Sequence, residues 1–345
     1  MAVGFYKPHL PFVFPQQYLD LYPPEDVPLP SRSTVPTKMP DIAWKNWEIR
    51  KYPDIAGLNI RDEIDESLPV NVTRDLRRAY YCAVSYIDDL VGRVLWQLEA
   101  QGLANNTVVA LFGDHGWHLG EGNLWGKHTN FELSTRAPLM FRVPGLTDAG
   151  LIHDRPVEFV DIFPTLVDAT GLPSIPICPE NSANVALCTE GSSLVDLMTG
   201  DDSADKLVRG HPSQSTRPRR QRRKEFAFSQ YPRRGFSVMG YSIRTDRYRY
   251  TEWIRRSKQR SEDSVRGSRL RIVHAVELYD HLVDPDETVN VADDPAYGRD
   301  QVQLSRALTA GWRWALTSNN ISEAVNVRQR VRRVTVRPPR HLSRG

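Results

Sequence analysis

The 345-residue chain lacks the sequence features of a membrane protein, of a signal peptide and of a disulfide-rich scaffold. Its apolar runs are too short to cross a bilayer, so we expect no transmembrane segment. Residues 1–8 have neither a basic start nor the apolar stretch of a secretion signal. Three cysteines permit a single disulfide. In the simplest arrangement Cys178 pairs with Cys188 in a Pro-rich connection, and Cys82 is a buried thiol.

The modest net charge of +3 conceals two strongly basic segments. Residues 206–272 carry 20 Lys and Arg against 5 Asp and Glu, and residues 328–345 carry 7 Arg and no acid. The other residues therefore hold 18 basic and 37 acidic side chains, a balance of −19. We interpret 206–224 and 255–271 as basic loops and 328–345 as a basic, disordered tail. Binding of a polyanion such as a sulfated polysaccharide is the alternative.

Hydrophobic periodicity predicts an α/β arrangement after a long opening segment. Residues 1–70 are rich in proline and aromatic side chains and read as an ordered, irregular segment. Apolar residues then recur every three to four positions up to Gly102, which predicts an amphipathic helix. Strands are predicted at 107–112 and 138–144, and a helix at 160–171. This order favours an α/β sheet covered by helices on both faces.

After Cys188 the sequence pattern changes to short runs of strand-forming residues separated by turn-forming residues. These runs lie at 225–230, 236–244, 248–253 and 272–279, and a final helix is predicted near 301–316. Adjacent strands with short connections favour an antiparallel sheet. We therefore predict a smaller α+β subdomain over residues 225–320.

The most informative segment follows the strand at 107–112, where Asp114 and His115 stand between Gly113 and Gly116. In α/β sheets, ligands gather at the carboxyl ends of the strands. A carboxylate and an imidazole at such a point can bind a divalent cation, and the flanking glycines permit sharp turns. Two adjacent residues cannot complete a coordination sphere, so further ligands must come from elsewhere. The alternative interpretation is a capped turn without a metal.

Two further residues can take part in chemistry at this site. Lys127, in the same glycine-rich loop, can hold an oxyanion, and the alternative is a solvated surface lysine. His9, between Pro8 and the Leu10-Pro11 pair, sits in a stiff extended backbone and can act as a general acid. The alternative for His9 is a packing role.

Several separate blocks of the sequence resemble type I sulfatases. They occur in the same order as in that family and extend from residue 2 to about residue 320. In chain order, the blocks are VGFYKPHLPF (3–12), GDHGWHLGE (113–121), WGK (125–127), APLMFRVPG (137–145), QYP (230–232), MGYSIRT (239–245), YRYT (248–251) and ELYD (277–280). The spacing of Cys178 and Cys188 also matches a disulfide of the family.

The resemblance implies an alkaline-phosphatase-like α/β fold, with residues 1–200 as the C-terminal part of the sulfatase domain. It implies one calcium ion with Asp114 and His115 among its ligands, and contacts from His9 and Lys127 to the sulfate or the bridging oxygen. Trp117 and Trp125 are expected to shape the sugar pocket, with core packing as the alternative for at least one of them. Arg244 is expected to meet a uronate carboxylate.

The resemblance is strongest to sulfatases that remove the 2-O-sulfate of iduronate residues in heparan or dermatan sulfate. It therefore implies a sulfated glycosaminoglycan or oligosaccharide as partner, and we expect no nucleic acid. A sulfatase for another sulfated glycan is an alternative, as is a non-catalytic polyanion-binding protein. The lysosome or the secretory pathway is the implied location. The sequons at Asn71, Asn105 and Asn320 agree with that route.

The sequence departs from the family at the nucleophile. The family converts the Cys or Ser of a Cys/Ser-x-Pro-x-Arg motif into formylglycine, and these 345 residues contain no such motif. The nearest pattern, at residues 216–220, begins with Thr216 and lies within an arginine run. We therefore expect an incomplete, N-terminally truncated sulfatase chain that lacks the nucleophile and about half of the calcium ligands, and that has no activity by itself.

Overall fold

A computed structural model of the chain describes residues 1–198 and 226–316, except residues 46, 62, 234, 236 and 256–271. The basic segments predicted at 206–224 and 328–345, and nearly all of 255–271, lie outside the described residues, as does the sequon at Asn320. In the part of the chain that is described, no helix is long and apolar enough to span a bilayer.

The described residues form two compact units. The N-terminal unit comprises Met1–Pro36 and Trp44–Met140, and the C-terminal unit comprises Thr37–Ala43 and the described residues from Phe141 onward. This division differs from the domain boundary predicted near residue 200. That boundary falls among residues outside the described ranges and stays a prediction.

The regular elements follow the predicted order. The α-helices are α1 (Pro53–Ala56), α2 (Val70–Ala100), α3 (Glu132–Thr135), α4 (Ile162–Ala169), α5 (Val195–Met198) and α6 (Gly298–Ala315). The strands are β1 (Val109–Phe112), β2 (His118–Leu119), β3 (Trp125–Gly126), β4 (Leu139–Arg142), β5 (Ala227–Arg233), β6 (Val238–Arg244), β7 (Tyr248–Arg255) and β8 (Ile272–Asp280). The helix predicted to end at Gly102, the helix predicted at 160–171 and the strands predicted at 107–112 and 138–144 are all present, with bounds that differ by a few residues.

The N-terminal unit is organised around the long helix α2. The helix begins directly after Pro69 and ends before Gly102, whose φ of +68° favours glycine. The segment before it is irregular, as predicted, with short 3-10 helices such as Gln16–Leu21 and Glu48–Lys51. A hydrophobic core cluster lies in this unit, and its buried residues are Leu10, Trp47, Ile49, Ile55, Leu68, Leu119 and Trp125.

Two short pairings place the glycine-rich loop. Strand β1 pairs with β4. Strands β2 and β3 form an antiparallel hairpin in which His118 faces Gly126 and Leu119 faces Trp125. Because Leu119 and Trp125 are both in the core, the hairpin fixes the loop that lies between β1 and β2.

The C-terminal unit contains the predicted antiparallel sheet, in the order β5-β6-β7-β8. Helix α6 packs on it, with Leu304 and Leu308 in one cluster with Ile243, Tyr250 and Leu278. Cys178 and Cys188 form the predicted disulfide, and Cys82 is a buried free thiol in α2. The fold is therefore α/β with a small C-terminal antiparallel sheet, as predicted.

Candidate active site

The loop after β1 is held at both ends by backbone hydrogen bonds. The Gly113 N–H donates to the Pro138 carbonyl at 3.0 Å, and the Gly116 N–H donates to the Ser134 carbonyl at 2.9 Å. A Cβ at Gly116 would lie 2.1 Å from the Leu133 carbonyl oxygen, so the backbone approach excludes any larger residue. The two glycines thus fix the turn that carries Asp114.

Asp114 and His115 present a carboxylate oxygen and an imidazole nitrogen to the same point. The Asp114 Oδ2 lies 3.4 Å from the His115 Nε2, and the Asp114 side chain is 84% exposed. The His115 Nδ1 lies 2.8 Å from the Gly116 carbonyl oxygen, which can only accept a hydrogen bond. Nδ1 therefore carries the proton in the neutral ring, and the lone pair of Nε2 is free to bind a cation.

These two donors fit part of the ligand set of a divalent cation. Within the described ranges, no third His, Cys, Asp or Glu completes a three-ligand group with Asp114 and His115.

Trp117 and Lys127 extend this group. The Lys127 Nζ lies 5.3 Å from the centroid of the Trp117 ring, within the range of a cation–π contact. Trp117 is half-buried, and its ring centroid lies 6.3 Å from those of His115 and Phe12. In the part of the chain that is described, Lys127 has no carboxylate partner. The structure thus brings the two predicted metal ligands, one tryptophan and an unpaired cation into one cluster.

Trp125 and His9, the other predicted site residues of the N-terminal unit, contact residues outside this cluster. Trp125 is only 3% exposed and packs in the core, which favours the core-packing alternative and leaves Trp117 as the candidate for a sugar contact. His9 contacts the Tyr6 ring, with centroids 4.8 Å apart, and its Nδ1 donates to the Leu10 carbonyl at 2.7 Å. In the neutral ring its Nε2 is therefore the acceptor.

Arg244 lies at the end of β6 in the C-terminal unit. Its guanidinium donates to the Thr245 carbonyl and, at 2.8 Å, to the His281 Nδ1. The His281 Nε2 in turn lies 2.9 Å from the Glu287 Oε1. The role of Arg244 at a uronate carboxylate stays a prediction.

Sequence reasoning missed the ion pair that supports the loop. Arg77 of α2 is buried and donates to the Leu119 carbonyl at 2.9 Å and to the Glu121 Oε1 at 2.5 Å. Burial raises the pKa of Glu121, but the hydrogen bonds from Arg77 and from the Leu119 N–H outweigh it and lower the pKa overall. The two residues are 44 positions apart, and no periodicity connects them.

Comparison with known proteins places these features in one family. A family model described as Sulfatase matches residues 1–172. Iduronate 2-sulfatase of Mus musculus is 36% identical over 338 residues, which cover 86% of this chain and 58% of that protein. Iduronate 2-sulfatase of Homo sapiens is 35% identical over 344 residues, which cover 88% of this chain and 60% of that protein.

A solved structure agrees with this result at the level of the fold. The phosphonate monoester hydrolase of Agrobacterium radiobacter superposes with a TM-score of 0.60 at 22% identity, and the match covers 90% of this chain and 55% of that one. The chain thus spans about 55–60% of the length of these relatives.

Proposed function

Since this chain belongs to the sulfatase family, we propose that it acts in the hydrolysis of sulfate esters, with the 2-O-sulfate of iduronate in heparan or dermatan sulfate as the substrate. The observation that carries the proposal is the cluster of Asp114, His115, Trp117 and Lys127, in which two metal donors lie beside an unpaired ammonium group. The similarity to iduronate 2-sulfatases supports the choice of sugar.

Asp114 and His115 are the proposed ligands of a calcium ion. Sulfatases typically use a metal ion, and a bound divalent cation would neutralise charge on the sulfuryl oxygens. The chain's own contribution is to hold the Asp114 carboxylate and the His115 Nε2 in one place by means of the Gly113 and Gly116 hydrogen bonds.

Lys127 and His9 are the proposed groups at the sulfate. The Lys127 ammonium would bind a sulfuryl oxygen, where it offsets the negative charge that builds up as the ester bond breaks. His9, as the doubly protonated imidazolium, would give its Nε2 proton to the departing sugar oxygen and become the neutral ring, whose Nδ1 proton stays bonded to the Leu10 carbonyl. Trp117 would contact the sugar ring, and Arg244 the uronate carboxylate.

The formylglycine implied by the family has no Cys/Ser-x-Pro-x-Arg precursor in these 345 residues, and no step is assigned to it. We propose that the 345-residue chain by itself binds the sulfated sugar but releases no sulfate. The proposed location is the lysosome or the secretory pathway, and the Cys178–Cys188 disulfide supports an oxidising compartment.

The decisive experiment measures binding and turnover separately. Purified chain is titrated calorimetrically with a 2-O-sulfated iduronate disaccharide, with and without calcium, and free sulfate is assayed in parallel. We expect calcium-dependent binding that weakens about tenfold or more in Lys127→Ala and in Asp114→Asn, because each change removes one charged contact. Arg93→Ala, at an exposed site on α2, serves as the control for a lost positive charge.

Unchanged affinity in both site variants would refute the assigned roles. Sulfate release by the purified chain would refute its proposed inactivity and leave the proposed substrate in place.

A second candidate function rests on the charge distribution. Residues 206–272 hold 20 basic side chains against 5 acidic ones, an excess that suits a non-catalytic polyanion-binding protein. Binding of heparin that survives Lys127→Ala and Asp114→Asn, but is lost when residues 217–224 are made neutral, would favour that function. A sulfatase for a different sulfated glycan would instead prefer another sugar in the titration.

A further inference from the structure

Lys7, two residues before His9, is bound by backbone carbonyls of the segment that carries the histidine. Its Nζ donates to the His9 carbonyl at 2.9 Å and to the Pro11 carbonyl at 2.5 Å. The ammonium group also lies 4.8 Å from the centroid of the Tyr6 ring, within the range of a cation–π contact. Hydrogen bonds from a charged donor are stronger than those between neutral groups. One charged side chain therefore holds two carbonyls that lie two residues apart.

The carbonyl between these two belongs to Leu10, and the His9 ring binds it. The His9 Nδ1 donates to this oxygen at 2.7 Å, and the ring packs against that of Tyr6 with centroids 4.8 Å apart. Three successive carbonyls are thus bound by the side chains of Lys7 and His9. A peptide plane turns only by rotation of the backbone dihedrals on either side of it. Because Lys7 fixes the two outer carbonyls, it also restricts rotation of the Leu10 carbonyl.

The core fixes the position of this segment but not the orientation of the His9 ring. Leu10 is only 3% exposed and belongs to the hydrophobic core cluster of the N-terminal unit. Lys7 and His9 are half-buried, and Pro11 is exposed. The side chain of Leu10 therefore anchors the segment, whereas the local hydrogen bonds decide where its carbonyl, and with it the His9 ring, points.

Lys7 can be replaced without leaving a charge unpaired. In the part of the chain that is described, its partners are carbonyls and an aromatic ring, and it forms no ion pair with a carboxylate. The His9 N–H also donates to the Tyr6 carbonyl at 3.1 Å, a backbone bond that does not involve the lysine side chain. We therefore expect variants at Lys7 to fold.

The orientation of the His9 ring matters for the proton that it is proposed to give. Transfer from Nε2 leaves a neutral ring whose remaining proton is on Nδ1, where the Leu10 carbonyl accepts it. Without this acceptor the ring can rotate about its side-chain bonds, and either nitrogen can carry the proton. The hydrogen bond to Leu10 thus keeps Nε2 as the nitrogen that exchanges its proton with the substrate.

We propose that Lys7 is a positioning residue for His9. It holds the carbonyls of His9 and Pro11, keeps the Leu10 carbonyl at Nδ1, and so keeps Nε2 available to the departing sugar oxygen. The inference rests on the proposed function, since it takes His9 as the group that protonates this oxygen. Lys7 acts only through His9 and has no contact with the substrate of its own.

The first test measures the tautomer of His9 directly. Imidazole signals of the ¹⁵N-labelled 345-residue chain are recorded by NMR at pH 8, where free imidazole is neutral, and His9→Gln identifies the signals of His9. For the wild type we expect a protonated Nδ1 and an unprotonated Nε2. In Lys7→Met the two nitrogen shifts should move towards each other, because the ring then exchanges between tautomers. Lys7→Arg should retain the wild-type pattern, since a guanidinium can donate to both carbonyls.

The second test asks whether Lys7 acts through His9. Wild type, Lys7→Met, His9→Gln and the double variant are titrated calorimetrically with the 2-O-sulfated iduronate disaccharide and calcium at pH 5. We expect each single change to weaken binding about threefold to tenfold, and the double variant to bind no more weakly than His9→Gln. Lys51→Met, which removes an exposed lysine of the same unit, is the control and should match the wild type in both tests.

The possible results separate the inference from the proposed function. An unchanged His9 tautomer in Lys7→Met, an equal change in Lys51→Met, or binding losses that add in the double variant would refute the positioning role. A changed tautomer in Lys7→Met, restored in Lys7→Arg, would support it. If that change occurs while His9→Gln binds like the wild type, or while no disaccharide binds at all, the positioning role stands and the proposed role of His9 at the substrate is refuted.

Discussion

Glu277 of strand β8 is a fully buried carboxylate whose charge has little compensation. The Trp253 Nε1 donates to its Oε2 at 2.7 Å, and the Tyr279 hydroxyl donates to its Oε1 at 2.9 Å. The pKa of Glu277 is raised to about 7, chiefly by burial; the charge of Glu287 adds to this rise, while the two hydrogen bonds and the charge of Arg233 oppose it. Burial likewise lowers the pKa of Arg233 to about 10. The carboxyl group is therefore poised to change charge near neutral pH.

We predict that Glu277 makes the C-terminal unit less stable as the pH rises. Its pKa of about 7 in the folded state exceeds its ordinary value of 4.5, so the folded state binds the proton more tightly. The stabilisation is complete below pH 4.5 and is lost as the pH rises through about 7, a change of about 3 kcal/mol at most. Urea unfolding followed by tryptophan fluorescence at pH 5 and pH 8 measures it.

Glu277→Gln keeps one oxygen to accept from Trp253 and gains an NH₂ group that can donate to the Tyr279 hydroxyl, as a protonated carboxyl does. We expect this variant to lose most of the difference between pH 5 and pH 8. Asp293 is an exposed carboxylate in the same unit, and the control variant Asp293→Asn should retain the difference in stability between pH 5 and pH 8. A wild-type protein with equal stability at both values would contradict the prediction.

At the level of elements, two glycines should respond in opposite directions to the same substitution. Gly116→Ala places a Cβ 2.1 Å from the Leu133 carbonyl oxygen and 2.4 Å from that of Arg136, so the loop after β1 must move. We expect a loss of about 3 kcal/mol or more in the free energy of unfolding. Gly92→Ala, at an exposed site in α2 with no atom within 4 Å, should gain about 0.5–1 kcal/mol. Thermal unfolding of both variants provides the comparison, and a stable Gly116→Ala would show that the loop tolerates displacement.

The disulfide should stabilise the connection between α4 and α5. Cys178 and Cys188 close a loop with a sequence separation of 10, which restricts the unfolded chain. For such a loop, reduction should cost about 2–3 kcal/mol. Urea unfolding with and without reductant measures the difference. The double variant Cys178→Ala, Cys188→Ala should not respond to reductant, and an equal response in both proteins would contradict the assignment.

Elements with a strong periodic pattern could be predicted, and those held by distant partners could not. The recurrence of apolar residues every three to four positions up to Gly102 predicted α2, and the apolar run at 107–112 predicted β1. The hairpin of β2 and β3 has only two residues in each strand and no alternating pattern to reveal it. Its position depends on the burial of Leu119 and Trp125 against residues from far along the chain.

For the whole molecule, the uneven distribution of charge gives a direct prediction about polyanions. Residues 328–345 contain 7 Arg and no acid, so their deletion changes the formal net charge from +3 to −4. Binding to a polyanion weakens with each cation removed, and more steeply as salt is added. We expect the shortened chain to elute from a heparin column at a lower salt concentration. A chain with the same 18 residues in shuffled order should elute like the wild type, and elution unchanged by the deletion would exclude a role for this segment.

The sequence by itself determined the family, the α/β class and the adjacent pair Asp114 and His115, because these depend on local motifs and on the order of hydrophobic runs. It also pointed to Lys127 as a candidate for an oxyanion. Only the tertiary structure decided that Lys127 lies over Trp117 and that Trp125 belongs to the core. It alone brought Glu48 to His128, since this pair is 80 positions apart and meets only when the irregular opening segment packs on the hairpin. Burial and ion pairing depend on which distant surfaces meet, and local patterns carry no information about that.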